Sequence, residues 1–334
     1  MICARSGPEA LHRSAKDRGS IVAILHTHRR GLLLLERARV HLAEGRVVHA
    51  DAEGDSPVSR SWNIPSLNSA AVILGQGCSI TKPAARRLAE DGVLLAFAGT
   101  DGTPLICASQ DYRPSAALQA WIAVWADPAW RLRAALHLQR ARIDAITRSW
   151  AALAPVGFTG NPTQALKAYA AALERVRDIT ELTGHEGACT RSLYVEAAKA
   201  TGITWSGRVH QDASDRPNHF LDHGNYLAYG LGGTAIWARG IPPSLPVVHG
   251  RSNAGGLVFD LADVVKDALI LPTAFLCAAD RSLKGSAVRQ RIVAALYDAT
   301  WLDPNGAVGL LFRVLDELIT FASGGAASAA AGAP

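Results

Sequence analysis

The stretch HGRSNAGGLVFDLADVVK, residues 249–266, gathers the residue types that bind hard cations. His249 stands eleven residues ahead of Asp260, and Asp260, Asp263 and Lys266 follow in steps of three. On a helix such steps share one face. Leu261, Ala262, Val264 and Val265 between them are apolar, which puts that face beside a core. Two carboxylates at i and i+3 among buried neighbours repel each other unless a cation lies between them. A glycine-containing hinge, Asn253 to Gly256, lets His249 fold back toward the same point. A divalent metal site accounts for the whole set. Asp-x-x-Asp also occurs as a solvated helix face or an N-cap, so spacing alone does not decide between the two.

The elements that would position these groups lie upstream. LTGHEGACTRSLYVEAAKATG, residues 182–202, is rich in helix formers in its second half, and Gly202 reads as a C-cap, so a helix is expected from about Glu186. Glu186, Thr190, Leu193 and Ala197 share one face, whereas Glu196 points elsewhere, into solvent. In DRPNHFLDHGNYLAYGLGGTAIWARGI, residues 215–241, apolar residues recur at helical spacing around Leu221, Tyr226, Leu227, Leu231 and Ile236.

In their order these segments resemble the CRISPR-associated integrase family, the first of the Cas proteins, whose members insert new spacers into a CRISPR array. The resemblance is carried by Glu186 in HEGACTRSLY, by NHFLDHGNYLAYGL, by His249 and by LVFDLADVVKDALILP. The N-terminal half adds WNIPSLNSAAVILGQGCSITKPAARRLAEDGVLLAFAGTDGTPL, residues 62–105. The likeness covers roughly residues 20 to 320 and is nearest to the type I-F branch. It implies a site that holds Mg2+ or Mn2+ through Glu186, His249 and Asp263. Asp260 would be a direct ligand or would accept a hydrogen bond from one, and Lys266, one turn beyond Asp263, could neutralise a phosphate oxygen. Gly187 and Ala188 after the glutamate depart mildly from the pattern, and Glu181 and Glu196 stand as substitutes. The resemblance further implies a metal-dependent DNA endonuclease and strand-transfer integrase acting on prespacer and repeat DNA. It implies a homodimer formed through the N-terminal domain, and a second Cas protein fused to the interference helicase-nuclease as partner.

Composition sets wider bounds. The 334 residues suffice for two domains, and 49% are hydrophobic with 19% charged, as in globular proteins. A net charge of +5 permits polyanion binding without requiring it. Five cysteines at 3, 78, 107, 189 and 277 form no C-x-x-C pair, which argues against a disulfide framework or zinc ribbon and fits a reducing cytoplasm. No apolar run reaches membrane-span length. Residues 1–18 read as a mobile polar leader without a signal-peptide core, and 323–334 as a disordered, low-complexity tail.

Between these ends the pattern predicts an α+β chain. Residues 19–110 form a small, mainly β domain and residues 115–322 a helical one; the resemblance implies that the first is a sandwich-like dimerisation domain and the second the catalytic domain. A hairpin breaks at Glu44–Gly45, strands are expected at 62–64, 70–74, 93–98 and 105–108, and one helix opens at Ser79–Pro83 and closes at Gly92. Thr100–Thr103 is a turn and Tyr112–Ser115 the link. Helices follow near 115–125, 128–150, 162–180, 186–201, 215–238, 258–278, 285–299 and 305–322.

Other motifs compete for attention. His219 and His223, at i and i+4, could bind zinc with Asp215 or Asp222, which would make a zinc hydrolase the alternative enzyme. A non-catalytic DNA-binding scaffold is the alternative from another class. Gly75-Gln76-Gly77 lacks the rest of a phosphate loop, and His185-Glu186 has no second histidine for a zincin motif. Trp121, Trp125 and Trp130 read as core or domain-interface anchors. Arg131, Arg133, Arg140, Arg142 and Arg148 lie on one long helix as a phosphate track or a solvated surface, with Arg281, Lys284, Arg289 and Arg291 as the next candidates. Asn225 and Tyr226 bring polar tips into an apolar helix, where they orient a catalytic group or satisfy each other.

Overall fold

The computed structural model describes residues 31–51, 61–75, 77–98, 104–107, 116–209, 215–250, 256–283 and 285–331. The leader, the Thr100–Thr103 turn, the 112–115 link, residues 253–255 of the hinge and Lys284 lie outside the described residues. The chain divides into two compact units, residues 1–100 with 104–112, and residues 101–103 with 113–334.

In the first unit β1 (Gly31–Leu35), β5 (Ser69–Leu74), β7 (Leu94–Ala98) and β8 (Pro104–Cys107) form one sheet in the order β1-β5-β7-β8. β4 (Ser61–Asn63), β3 (Arg46–Asp51), β2 (Ala38–Ala43) and β6 (Ser79–Ile80) form the other, in the order β4-β3-β2-β6. β2 and β3 meet through Glu44 and Gly45, both at positive φ (49° and 74°), with Ala43 opposite Arg46. Those two dihedrals are what a tight two-residue hairpin demands, and glycine supplies the second without strain. α1 (Lys82–Glu90) starts at Thr81, whose hydroxyl accepts from Ala84 N, with proline in its first turn. Leu35, Val40, Val47, Val72 and Leu74 from both sheets pack with Ala84 and Leu88 of α1, so the unit is a two-sheet layer around one core.

The second unit is helical: α2 (Ala116–Trp125), α3 (Pro128–Ala152), α4 (Thr163–Leu173), α5 (Ile179–Thr201), α6 (Arg216–Ala238), α7 (Gly256–Val265), α8 (Leu271–Ala279), α9 (Gly285–Tyr297) and α10 (Gly306–Ala331). Several elements differ from expectation. The helix expected over 162–180 stops at Leu173, and α5 begins early because the Asp178 side chain caps it by accepting from Glu181 N. Glu186 therefore sits inside α5 rather than at its start. The helix expected over 258–278 is broken between α7 and α8 by a π-helical turn, Lys266–Ile270. The tail expected to be disordered after Ser323 continues α10 to Ala331, in keeping with the helix propensity of alanine.

α7, the π turn and α8 are apolar nearly all round and buried nearly all round, which makes them the centre of this unit. α6 crosses them at close range: a Cβ on Gly224 would meet Ile270 Cγ2 at 2.4 Å. Because the carboxylates of residues 260, 263 and 267 stand on this central rod, they are carried into the core. Among the described residues no helix is long and apolar enough to cross a membrane.

Candidate active site

Asp260, Asp263 and Asp267 recur at i, i+3 and i+7, the spacing at which core-facing leucines would otherwise stand. All three are buried. Each has a different answer to the cost of burying a carboxylate, which demands hydrogen bonds or a counter-charge.

Asp260 is fully enclosed and acts on the segment before α7. It accepts the backbone N–H of Val247, of Val248 (3.1 Å) and of His249 (2.8 Å), and its Oδ1 lies 2.7 Å from His249 Nδ1. The imidazole is thereby held through Nδ1, and Nε2 faces Asp263 Oδ2 at 3.8 Å. From the other side α2 and α3 grip the same segment. Trp121 Nε1 donates to Leu245 O (3.4 Å), Trp125 Nε1 to Pro246 O (2.7 Å) and Arg131 Nη2 to Val247 O (3.3 Å). The tryptophans expected to be core or domain-interface anchors thus also fix the backbone that presents His249.

Asp263 accepts from Lys266 Nζ at 2.6 Å. Burial by itself would raise its pKa, but Lys266, then Arg142 and His249, outweigh burial and hold Asp263 below the usual carboxylate range. Lys266 lies over the Tyr229 ring, 5.2 Å from its centroid, and Asp263 raises its pKa against the opposing effect of burial. His249 is likewise pulled down by burial, yet the Asp260 hydrogen bond and the charges of Asp263, Asp260 and Glu186 leave it raised.

Glu186 meets a different partner. Its Oε1 accepts from Arg142 Nη1, and Arg142 Nη2 also donates to Asp267 Oδ2 and to Thr190 Oγ1 (2.7 Å). Arg142 is itself buried, and Gln139 Oε1 completes its shell at 3.3 Å. Burial raises the Glu186 pKa, with Arg142 opposing and Asp263 adding to the rise. The other two glutamates are engaged elsewhere: Glu181 accepts from Arg177 N (3.0 Å) beside the α5 cap, and Glu196 from Lys199 (2.8 Å) on the surface. Of the three candidates, Glu186 alone lines the cavity described next.

That cavity, about 700 Å³, is lined by Arg142, Glu186, Asp263, Lys266 and Asp267, with Arg191, Arg208, Asn225, Tyr194, Trp205 and Tyr229 around them. As placed, the carboxylates of Glu186 and Asp263 rest on Arg142 and Lys266. Among the described residues no group of three His, Cys, Asp or Glu side chains is disposed to hold a metal ion. The structure thus brings Asp260, His249 and Asp263 into one chain of contacts and puts Glu186 in one cavity with Asp263, without closing Glu186, His249 and Asp263 on a point.

Among the described residues His219 and His223 gather no third metal ligand: Asp222 pairs with Arg208, and Asp215 caps α6 by accepting from Asn218 N (2.9 Å) and Asn218 Nδ2 (2.8 Å). One expectation is corrected. The arginine track on α3 is not one surface. Arg142 is in the core, Arg131 holds Val247, Arg140 pairs with Glu174 (3.2 Å), Arg133 lies over the Phe321 ring, and Arg148 reaches Asp144 and Trp301 O. The sequence reading missed Arg142 and Asp267 as site residues. Signals existed: Arg142 falls in the stripe Ala134, Ala135, Leu138, Ala145, Ile146, Ser149 that α3 buries, and Asp267 continues the acidic i, i+3, i+7 pattern.

A family model described as CRISPR associated protein Cas1 matches residues 33–301, and the chain belongs to that family. It is 43% identical over 274 residues to the CRISPR-associated endonuclease Cas1 of Pseudomonas aeruginosa, covering 76% of this chain and 84% of the relative. To the CRISPR-associated endonuclease Cas1 of Pectobacterium atrosepticum it is 37% identical over 299 residues, covering 84% of this chain and 91% of the relative. Both are consistent with the type I-F-like branch. Among solved structures it resembles TtCas1 in complex with DNA, with a TM-score of 0.58 and 26% identity over 88% of this chain and 96% of the other. The fold is shared with a casposase bound to its integration product, with a TM-score of 0.66 and 15% identity over 88% of this chain and 91% of the other.

Proposed function

We propose that this chain is a divalent-metal-dependent DNA endonuclease and strand-transfer integrase that inserts new spacers into a CRISPR array. The observation that carries the reading is the locking of His249 through Nδ1 on buried Asp260, which turns Nε2 toward Asp263 beside the cavity that Glu186 lines. Two carboxylates and an imidazole are donors that Mg2+ and Mn2+ accept. Glu186, Asp263 and His249 would hold the ion. Asp260, its oxygens already engaged by three amides and the imidazole, would orient His249 rather than meet the ion itself. The chemistry such an ion would supply is activation of the attacking 3′-hydroxyl and neutralisation of charge at the phosphorus. Lys266 and Arg191 both line the cavity, where Lys266 would meet a non-bridging phosphate oxygen and Arg191 the DNA strand entering it. With water in place of the hydroxyl, the same arrangement cleaves DNA.

Integration joins two DNA ends, so it needs two such sites. We infer a homodimer through the β unit, whose described sheets end in edge strands β1, β8, β4 and β6. The second Cas protein, fused to the helicase-nuclease, sets the distance between dimers, and the assembly works in the cytoplasm, where the array lies. The test is transfer of a short duplex into supercoiled plasmid with Mn2+, with chelator, and with Asp263→Ala. Wild-type product should need the ion. Asp263→Ala should fall to background while DNA affinity stays nearly unchanged, since phosphate binding rests on Arg and Lys. Equal product from Asp263→Ala would remove the site, and DNA binding without any product would leave a scaffold.

A further inference from the structure

Arg142 is a charged side chain in the middle of a core stripe, 5% exposed, and it bridges carboxylates from two other elements. Replacing a buried ionic bridge by apolar side chains of similar volume is often neutral or stabilising, so stability is a poor reason for its presence. What the bridge does fix is the rotamer of Glu186. Nη1 holds Oε1, which leaves Oε2 to a cation in the cavity. The guanidinium is in turn held from behind. Asp267 and Thr190 take Nη2, and Asp267 sits on a π turn whose own carbonyl accepts from Trp150 Nε1 at 2.9 Å. Single π turns are recurrent at functional sites, and this one places Asp267 where α3 can be reached. The arrangement repeats, with opposite charges, what Asp260 does for His249.

We propose that Arg142, anchored by Asp267 and Thr190, is the positioning residue that sets the carboxylate of Glu186 for metal binding. The inference rests on the metal reading given above. The Arg142 guanidinium is engaged by Glu186, Asp267 and Thr190, so it acts through Glu186. Lysine at this place keeps the charge but loses the planar fork that spans two carboxylates at once.

The experiment is Mn2+ titration of the full chain by EPR, beside Mn2+ activation curves for plasmid strand transfer. The variants are Arg142→Lys, Asp267→Asn and Glu186→Gln, with near-UV circular dichroism as the check on folding. Arg142→Lys should weaken Mn2+ binding about ten- to a hundredfold. Its half-activating Mn2+ concentration should rise by the same factor, with the maximal rate recovering at saturating ion. Asp267→Asn should shift both in the same direction by a smaller factor, and it decides the matter if Arg142→Lys does not fold. Unchanged Mn2+ binding in the folded variants, or an unchanged half-activating concentration with a lower maximal rate, overturns the proposal and makes the bridge structural. Wild-type Mn2+ binding by Glu186→Gln overturns the metal reading itself.

Discussion

The candidate site has two corners built on opposite logic. At the histidine corner a neutral-capable group, His249, is oriented by a buried anion, Asp260, which also gathers three backbone amides. At the glutamate corner an anion, Glu186, is oriented by a buried cation, Arg142, which also reaches Asp267. The first corner comes from one short stretch of chain and is organised by hydrogen bonds to main chain. The second joins α3, α5 and the π turn, with partners 44 and 125 residues from Arg142, and is organised by charge. The difference teaches where each should fail. A local corner can lose its ligand without unsettling the fold, whereas a corner that pairs buried charges from three elements cannot lose its cation cheaply.

The largest expected effect follows from that contrast. Arg142→Met leaves Glu186 and Asp267 in the core without their cation, a situation that typically costs about 3–5 kcal/mol. His249→Gln, by comparison, replaces a half-exposed ring and should cost less than about 1 kcal/mol in metal-free protein. Urea denaturation of both variants in chelator would measure the gap. If Arg142→Met unfolded at the wild-type midpoint, the two corners would not differ in the way described.

Asp260 should fall between these extremes. Asp260→Asn keeps the shape but turns an NH2 group toward amides that also donate, so at least one buried donor loses its acceptor. The expected loss is about 2–3 kcal/mol, in the range for hydrogen bonds to charged groups. Affinity for Mn2+ should drop as well, because the imidazole is no longer held by Nδ1. Stability measured by denaturation and binding measured by EPR should therefore fall together in this variant. A variant of full stability and full affinity would show that His249 does not need Asp260.

The same contrast explains how much could be read from the sequence. The histidine corner was legible because its pieces are eleven and fourteen residues apart and the i, i+3 spacing of Asp260 and Asp263 is a local signal. Most strands and most helices were legible for the same reason, from turn residues such as Glu44–Gly45 and caps such as Gly202, whereas Ser79–Ile80, read as a helix start, is strand β6. The glutamate corner was legible only in part, as Glu186 within a family pattern. Arg142 was grouped with exposed arginines because sequence shows charge and not burial, and its helical angle against Leu138 and Ile146 was the overlooked clue. The π turn could not be foreseen, since no residue type marks an extra residue in a helical turn. Nor could the Trp121, Trp125 and Arg131 contacts to the loop before His249, which join elements more than a hundred residues apart.

The smallest expected effect is a change of sign with pH, and it separates the corners without unfolding either. His249 is raised above its ordinary value of about 6.5 by Asp260 and the nearby carboxylates, against the lowering effect of burial. A raised folded-state pKa contributes stability that is fully present below the unfolded value and is lost as pH rises through the folded one. In chelator, the thermal stability of the wild type over His249→Gln should therefore shrink between pH 6 and pH 8. With Mn2+ the order reverses, because the ion takes the nitrogen that the proton leaves. Below the raised pKa, binding should weaken by about tenfold per pH unit as one proton competes for one site. The advantage of the wild type should then grow between pH 6 and pH 8. Glu186→Gln in the same series lacks the glutamate ligand, so its Mn2+-induced gain should be small throughout, while the decline in chelator persists. Parallel declines with and without Mn2+ in the wild type would mean that His249 serves only as a charged partner of Asp260, and the histidine corner would lose its place in the metal site.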